Sequence, residues 1–280
     1  MEQPSDQRLA GQVAVITGAG TAAADGTGNG QAMALTFARH GAAVVCVDRM
    51  GERAEAVVSK IAHEGGRAIA VEADVTSVED CDRIAARADA EFGRVDALVN
   101  SAGLVSRHGM AARVPGGVLG ELAELDLDDW DLVFRVNVTG AMLCTRALAP
   151  ALSRQGGSVV YIGTTMASLW YGDGRLAYGV SKAALEGLTM VMAGALGPQG
   201  IRANLLVIGQ VRAPHIVARA ASMGAAGEEY LESRRTSSLL QSDGTPFDVA
   251  TTALYLVSPD SRWVTGQTIF VDGGASRTIR

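Results

Sequence analysis

Cysteine is scarce in this chain of 280 residues: Cys46, Cys81 and Cys144 are an odd number at wide separations. They supply neither a disulfide framework nor the close spacing of a metal site, and read as small buried hydrophobes in a reducing compartment. Histidine is equally sparse. His40, His63, His108 and His215 form no ligand pattern, so no metal is expected. No long basic block occurs, and the net charge of -6 comes from interspersed acids and bases. Binding to nucleic acid or to an anionic membrane is therefore not expected. Met1 to Gly11 is polar without an apolar signal core, and no apolar run approaches the length of a membrane span. The expected location is cytoplasmic.

What the sequence does contain is an alternation of short apolar runs with longer amphipathic ones. Val13 to Thr17, Val44 to Asp48, Ala68 to Ala73, Val95 to Asn100, Ser158 to Gly163, Ala203 to Ile208 and Thr268 to Val271 are almost wholly apolar, as strands covered on both faces must be. Gly30 to His40, Glu52 to Glu64, Val78 to Phe92, Leu127 to Arg154 and Tyr178 to Leu196 carry helical spacing. This order predicts α/β architecture: a single doubly wound (Rossmann) domain over residues 1–280, with a seven-stranded parallel sheet and helices on both faces. Residues 1–10 read as a tail, 104–126 as an extended loop around Pro115-Gly116-Gly117, and 213–245 as a partly helical lid, with Ala218 to Met223 and Glu228 to Arg235 as its helices. Long excursions near strand ends usually cover a binding site.

The first strand runs into Thr17-Gly18-Ala19-Gly20 and, after Thr21 to Gly26, into Thr27-Gly28-Asn29-Gly30 before the first helix. Glycines at such a place let a pyrophosphate approach the free N–H groups and positive dipole end of the helix, and predict dinucleotide binding. Asp48 closes the second strand, where a carboxylate accepts the adenosine ribose hydroxyls and repels a 2′-phosphate. Arg49 follows it and could meet a phosphate, but the glycine turn carries no Lys or Arg, so NAD is expected as cofactor rather than NADP.

Tyr178 and Lys182 stand four apart at the start of a helical stretch, which puts phenol and ammonium on one face. A free phenol titrates near 10 and is a poor base at neutral pH. A fixed positive charge beside it favours the phenolate, which can take a proton from an alcohol or return one to a carbonyl. Such pairs also arise by chance on many helices.

Together with Asp74-Val75-Thr76, Asn100-Ser101-Ala102-Gly103, Asn137-Val138-Thr139-Gly140 and Val271-Asp272-Gly273-Gly274, the glycine turn and Tyr178 to Lys182 make a series of motifs in one order along nearly the whole chain. In this the sequence resembles the short-chain dehydrogenase/reductase family. The resemblance implies Tyr178 as the catalytic acid/base, with Lys182 lowering its pKa and holding the nicotinamide ribose. It implies Asn137 at a helix distortion that keeps a water in a proton relay. It implies Gly18, Gly28, Asn29 and Gly30 in the pyrophosphate turn, Asp74 and Val75 beside the adenine, Asn100, Ala102 and Gly103 where the fourth strand meets the cofactor, and Gly209 and Val211 at the nicotinamide. Where the family usually has Ser this chain has Thr164-Thr165; Thr165, thirteen residues before Tyr178, has the expected spacing, and Thr164 is the alternative. Asn100 could instead only stabilise its strand end, and Asp272 only a turn.

Three departures stand out. The glycine turn is about six residues longer than usual, with Ala22-Ala23-Ala24-Asp25 inserted; Ile208-Gly209 replaces the usual Pro-Gly, and Ala213 replaces a phosphate-binding Thr; and the 104–126 loop is extended. Ile216, Val217, Met223, Leu231, Leu239 and Leu240 of the lid, with Trp170 and Tyr171, could line an apolar pocket for a hydrophobic or cyclic secondary alcohol, or pack against neighbouring helices. The expected reaction is interconversion of a secondary alcohol and a ketone, by a homotetramer or homodimer in the family's manner. An NADP-linked 3-oxoacyl reductase is the alternative enzyme, for which Arg234-Arg235 is too small a basic patch to dock a carrier protein. A catalytically silent dinucleotide-binding protein is the alternative outside catalysis.

Overall fold

The computed structural model describes residues 7–21, 26–108, 117–169 and 175–277. The insertion at Ala22 to Asp25, Pro115-Gly116, Trp170 and Tyr171 lie outside the described residues. Seven strands form one parallel sheet: β1 (Val13–Thr17), β2 (Ala43–Asp48), β3 (Arg67–Glu72), β4 (Ala97–Asn100), β5 (Ser158–Thr164), β6 (Arg202–Ile208) and β7 (Thr268–Val271), in the order β3-β2-β1-β4-β5-β6-β7. The inner strands are buried on both faces, which is why their sequences are continuously apolar.

Alternate residues feed two cores. Ala14, Ile16, Val44, Cys46, Val160 and Ile162 pack on one face with Met33 and Phe37 of α1 (Asn29–Arg39) and Ile61 of α2 (Gly51–His63). Val13, Val15, Val45, Val47, Val159 and Tyr161 pack on the other with Ile84 of α3 (Val78–Phe92). The period of two along a strand thus divides each strand between the layers. α3 begins where the Ser77 hydroxyl accepts the Asp80 N–H at 3.1 Å and ends at Gly93 in the left-handed region.

Part of the expected 104–126 loop is helical, as α4 (Gly117–Ala123). The Leu127 to Arg154 stretch is α5 (Leu127–Phe134), a π-helical turn at Arg135–Gly140, and α6 (Ala141–Leu152). By length and composition Leu127–Leu152 could cross a membrane, against the sequence expectation that no run approaches that size. Leu143, Cys144, Leu148 and Leu152 instead belong to the second core, so this is a core helix. α7 (Leu176–Leu196) follows β5 on the same face of the sheet, where its Leu185 joins that core.

The lid contains α8 (Pro214–Ser222) and α9 (Ala226–Thr236). α10 (Pro246–Val257), which the strand-and-helix pattern above does not include, covers the first core beside α1. Its signal is local: Thr245 and Asp248 form a capping box, with Pro246 in the first turn. The three cysteines are free and buried.

The order reverses between β1 and β4: the chain winds outward from β1 to β3, then returns to β4 on the other side. The carboxyl ends of β1 and β4 thereby open a crevice, the usual place for a ligand in such sheets. Substituting Leu148→Ala, which empties a fully buried position of the second core, is expected to lower unfolding free energy by about 2–5 kcal/mol, read from the urea midpoint at unchanged slope.

Candidate active site

At the crevice the backbone of the glycine turn comes too close to its neighbours to carry side chains. Gly18 has φ +63°, and a Cβ there would lie 2.8 Å from the Ala102 backbone. A Cβ on Gly30 would lie 2.0 Å from the Gly18 carbonyl oxygen. Gly28 is different: its Cβ would meet only the Thr21 hydroxyl at 3.4 Å, an ordinary contact. Gly20 is the crowded third glycine, since its Cβ would lie 2.7 Å from Asp48 Oδ2. Thr17 Oγ1 accepts the N–H groups of Ser101 and Ala102, both at 3.2 Å, and so ties β1 to the end of β4.

α1 starts without a side-chain cap and without an acid in its first turn, and Asn29 and Gly30 face the cleft. Its free N–H groups and dipole favour an anion. Asn29 Oδ1, Gln31 Oε1 and Asn100 Oδ1 are buried with no partner among the described residues. An open helix end and glycines packed to backbone contact fit the anionic diphosphate of a dinucleotide, whereas the orphaned amide oxygens are acceptors that suit hydroxyl or amino donors. Asp48, half-buried, accepts Gly20 N–H on Oδ2 at 3.1 Å and Met50 N–H on Oδ1 at 3.0 Å, which fixes its carboxylate beside the turn.

Lys182 is 5% exposed and its Nζ donates to the Ile162 carbonyl at 2.8 Å. Burial pushes its ammonium down to about 8. Asn137 lies in the π-helical turn. Its Oδ1 accepts Leu104 N–H at 2.7 Å, and its Nδ2 donates to Leu104 O and to Ser181 Oγ, each at 2.9 Å. A Cβ on Gly103 would fall 3.3 Å from Lys182 Nζ and 3.4 Å from Asn137 Oδ1, so this glycine leaves room for both.

Tyr178 is partly exposed and lines the cleft. Burial pushes the phenol up, and the Arg175 charge and a hydrogen bond with the Thr164 hydroxyl pull it back. Thr164, whose hydroxyl accepts Met166 N–H at 3.3 Å, and Thr165, 2% exposed, both line the cleft with Tyr178. The Lys182 ammonium lies 6.0 Å from the Tyr178 ring centroid.

The cleft measures about 690 Å³ and brings together Gly18, Asn29, Gly30, Gly103, Thr164, Thr165, Tyr178, Lys182, Gly209 and Val211 of the expected residues. Gly28, Asp48, Asp74, Val75, Asn100, Ala102 and Asn137 stand outside its lining. Asp74 holds a turn, accepting the Thr76 N–H and hydroxyl at 2.8 Å each. Val75 packs against Gly140, and Asn100 Nδ2 donates to Thr145 Oγ1 at 3.3 Å. Asp272 holds the Gly273-Gly274 turn by accepting the N–H groups of Gly274 and Ser276, and its backbone crowds Gly209, where a Cβ would lie 2.5 Å from its Cα.

The sequence reading missed the cations of the cleft wall: Arg175, His215, Arg219 and Arg234, with Tyr230 among them. The signal was present as helical spacing. Tyr230, Ser233, Arg234 and Ser237 at i, i+3, i+4 and i+7 all line the cleft. Of the six apolar lid residues, Ile216 and the partly exposed Met223 line the cleft, Leu231 stands outside its lining, and Val217, Leu239 and Leu240 are exposed.

Known proteins resemble this chain in sequence and in fold. Residues 22–276 match the family described as enoyl-(acyl carrier protein) reductase. The short-chain reductase protein NovJ of Streptomyces niveus is 33% identical over 263 residues, 94% of this chain and 93% of that one. The 7alpha-hydroxysteroid dehydrogenase of Escherichia coli (strain K12) is 33% identical over 272 residues, 97% of each. A 7alpha-hydroxysteroid dehydrogenase solved with NADH and 7-oxo glycochenodeoxycholic acid superposes with a TM-score of 0.79 at 29% identity, over the full length of both chains. With a match of this extent in sequence and in fold, the chain belongs to the short-chain dehydrogenase/reductase family, as an oxidoreductase of alcohols and ketones that works with a nicotinamide dinucleotide.

Proposed function

We propose that the protein interconverts a secondary alcohol and a ketone with NAD, that Tyr178 carries the proton, and that Thr165, with Thr164 as the alternative, orients the substrate oxygen. The observation that carries this reading is that Tyr178, Lys182, Thr164 and Thr165 share the wall of the cleft that the glycine turn opens. The bound nicotinamide supplies hydride transfer. In oxidation Tyr178 takes the hydroxyl proton of the substrate, and in reduction it gives a proton to the carbonyl oxygen. Thr165 and Thr164 each offer the same hydroxyl donor and acceptor as Ser, stiffened by a methyl. Lys182, fixed on Ile162 O, keeps an N–H edge for the nicotinamide ribose. Asn137 is a positioning residue: it fastens Leu104 to Ser181, and Ser181 donates in turn to the Tyr178 carbonyl at 2.9 Å.

NAD is favoured because the fixed Asp48 carboxylate would face a 2′-phosphate with like charge. A hydrophobic or cyclic substrate is supported by Val105, Met166, Ile216 and Met223 in the lining, and by the steroid substrates in the names of two relatives. Val180, Met190 and Val191, exposed on α7, support a homodimer or homotetramer, and the cytoplasm is the compartment that fits three free thiols.

Tyr178→Phe is expected to lower turnover by roughly a hundredfold to ten-thousandfold in an NADH absorbance assay with a competent ketone. Thr165→Val is expected to cost more than Thr164→Val, and the reverse order moves the role to Thr164. Near-normal turnover by the Phe variant removes Tyr178 from the mechanism, and cofactor binding without turnover across a broad alcohol panel favours the silent reading. Fluorescence titration is expected to give at least roughly tenfold tighter binding of NADH than of NADPH, a difference of about 1.4 kcal/mol, and Asp48→Ser is expected to narrow it; a preference for NADPH overturns the use of Asp48.

The buried ammonium adds a pH dependence. Lys182 titrates at about 8 when folded and at 10.5 when free. Below about 8 the folded chain bears the cost of the buried charge. Between these values the unfolded chain binds the extra proton, so stability contributed by this group rises with pH. Urea titrations across that range are expected to show the rise in the chain without cofactor and to lose it in Lys182→Met.

A further inference from the structure

Two thiols meet in the second core, away from the cleft. Cys81 Sγ on α3 and Cys144 Sγ on α6 lie 3.6 Å apart, and the residues are 0% and 1% exposed. They are 63 residues apart in sequence, so only the packing of the two helices brings them together. Cys144 donates to Cys81, and Cys81 donates to Val75 O at 3.4 Å. The third thiol, Cys46, lies in the first core, on the other face of the sheet. Neither Cys81 nor Cys144 lines the cleft, and the proton chemistry proposed for Tyr178 does not use them.

The contact reaches the cofactor side through Val75. Its carbonyl receives Cys81, and a Cβ on Gly140 would lie 2.7 Å from its Cγ2. Val75 is therefore gripped between the first turn of α3 and the residue before α6, the two elements that carry the sulfurs. Asp80 fastens the same turn to α3, because its Oδ2 accepts Asp74 N–H at 2.8 Å. Asp74 and Val75 are the residues expected beside the adenine.

The two helices are not equally anchored. α6 buries seven of its twelve residues, whereas α3 buries three of fifteen, Cys81, Ile84 and Ala88. A helix held by so narrow a stripe opens at lower cost than the rest of the core. Its opening admits a small oxidant, and its movement takes the sulfurs from 3.6 Å to the roughly 2.05 Å of a bond. The thiols are unequal too. The Cys144 donor pulls the Cys81 thiol down and is itself pushed up, so Cys81 ionises first and attacks. Burial pushes Cys46 up to about 12.

We infer that Cys81 and Cys144 form a reversible disulfide, made by a peroxide and broken by a dithiol, which shifts the turn at Asp74 and Val75 and weakens binding of the dinucleotide. The Cys81 thiolate attacks one peroxide oxygen, the O–O bond breaks, and the departing hydroxide takes the proton that Cys81 gave up and leaves as water. The Cys81 sulfenic acid so formed loses its hydroxyl to attack by Cys144, and that hydroxyl leaves as a second water with the Cys144 proton. Two thiols lose two electrons, and one peroxide is reduced to two waters. Val75 O loses its thiol donor, and the first turn of α3 moves toward α6 with Asp74 attached. In a reducing compartment such a bond reports a rise in oxidant.

The test treats the native full chain with hydrogen peroxide, blocks the remaining thiols and maps the peptides by mass. The expected result is a Cys81–Cys144 bridge with Cys46 still a thiol. The Kd for NADH, read by fluorescence, rises roughly fivefold or more, the lower end of couplings between sites. Dithiothreitol restores both thiols and affinity; it does not reverse methionine sulfoxide, so recovery separates the bridge from general oxidation. In Cys144→Ser, where no bridge can form, the dithiol-reversible loss of affinity disappears. Survival of all three thiols in the native chain, a bridge through Cys46, or an oxidised chain that binds NADH as tightly as the reduced one overturns the inference. The map and the recovery are read on the unsubstituted chain, so they decide the matter even where the Ser variant does not fold.

Discussion

One buried ammonium on one backbone carbonyl fixes the reacting end of this molecule. Removing a Lys from water costs several kcal/mol, and Lys182 is nearly without exposure. The Ile162 carbonyl that receives it belongs to β5 near its carboxyl end, so the position of Nζ is set by the register of β5 between β4 and β6. A slip of one residue would turn that carbonyl to the other side. The helix that delivers the lysine is held by Asn137 through Ser181, and Gly103 at the end of β4 keeps the space clear. Sheet, π turn and helix must all be correct before the ammonium has its partner.

The surface and the cleft carry opposite signs. A net charge of -6 keeps the chain dispersed, while the described cleft lining holds cations without a carboxylate. Glu232 pairs with Arg235, and Asp243 with Arg212, so consecutive residues of α9 divide between outside and inside: Arg235 turns to solvent while Arg234 turns inward. Net charge is therefore a poor guide to the ligand here, because the balance struck over the whole surface conceals a local excess.

The strands and most helices were legible because their cause is local: continuous apolar runs between turns leave little choice of layer, and Val78 to Phe92 ends where Ser77 and Gly93 say it should. Leu127 to Arg154 was legible as a helix, with the distortion at Asn137 coming only from family resemblance, since nothing in the composition of Arg135 to Gly140 demands a π turn. α10 was missed although Thr245 and Asp248 mark its start. At the site, spacing from Tyr178 favoured Thr165 over Thr164, the last residue of β5, and the fold sets both in the cleft. Only the fold reveals that Gly20, pressed against Asp48, is a crowded position. The arginine wall needed both helical spacing and knowledge of which way α8 and α9 face, and only the first of these is written in the sequence.

The surroundings of the phenol bear on the direction of the chemistry. Tyr178 is pulled two ways: burial favours the neutral phenol, and Arg175 with the Thr164 bond favours the ionised form. A neutral phenol is the state that a carbonyl oxygen requires when it gains a proton, whereas oxidation of an alcohol requires the ionised one. A group pulled both ways serves either direction, whereas burial alone would leave it only a donor.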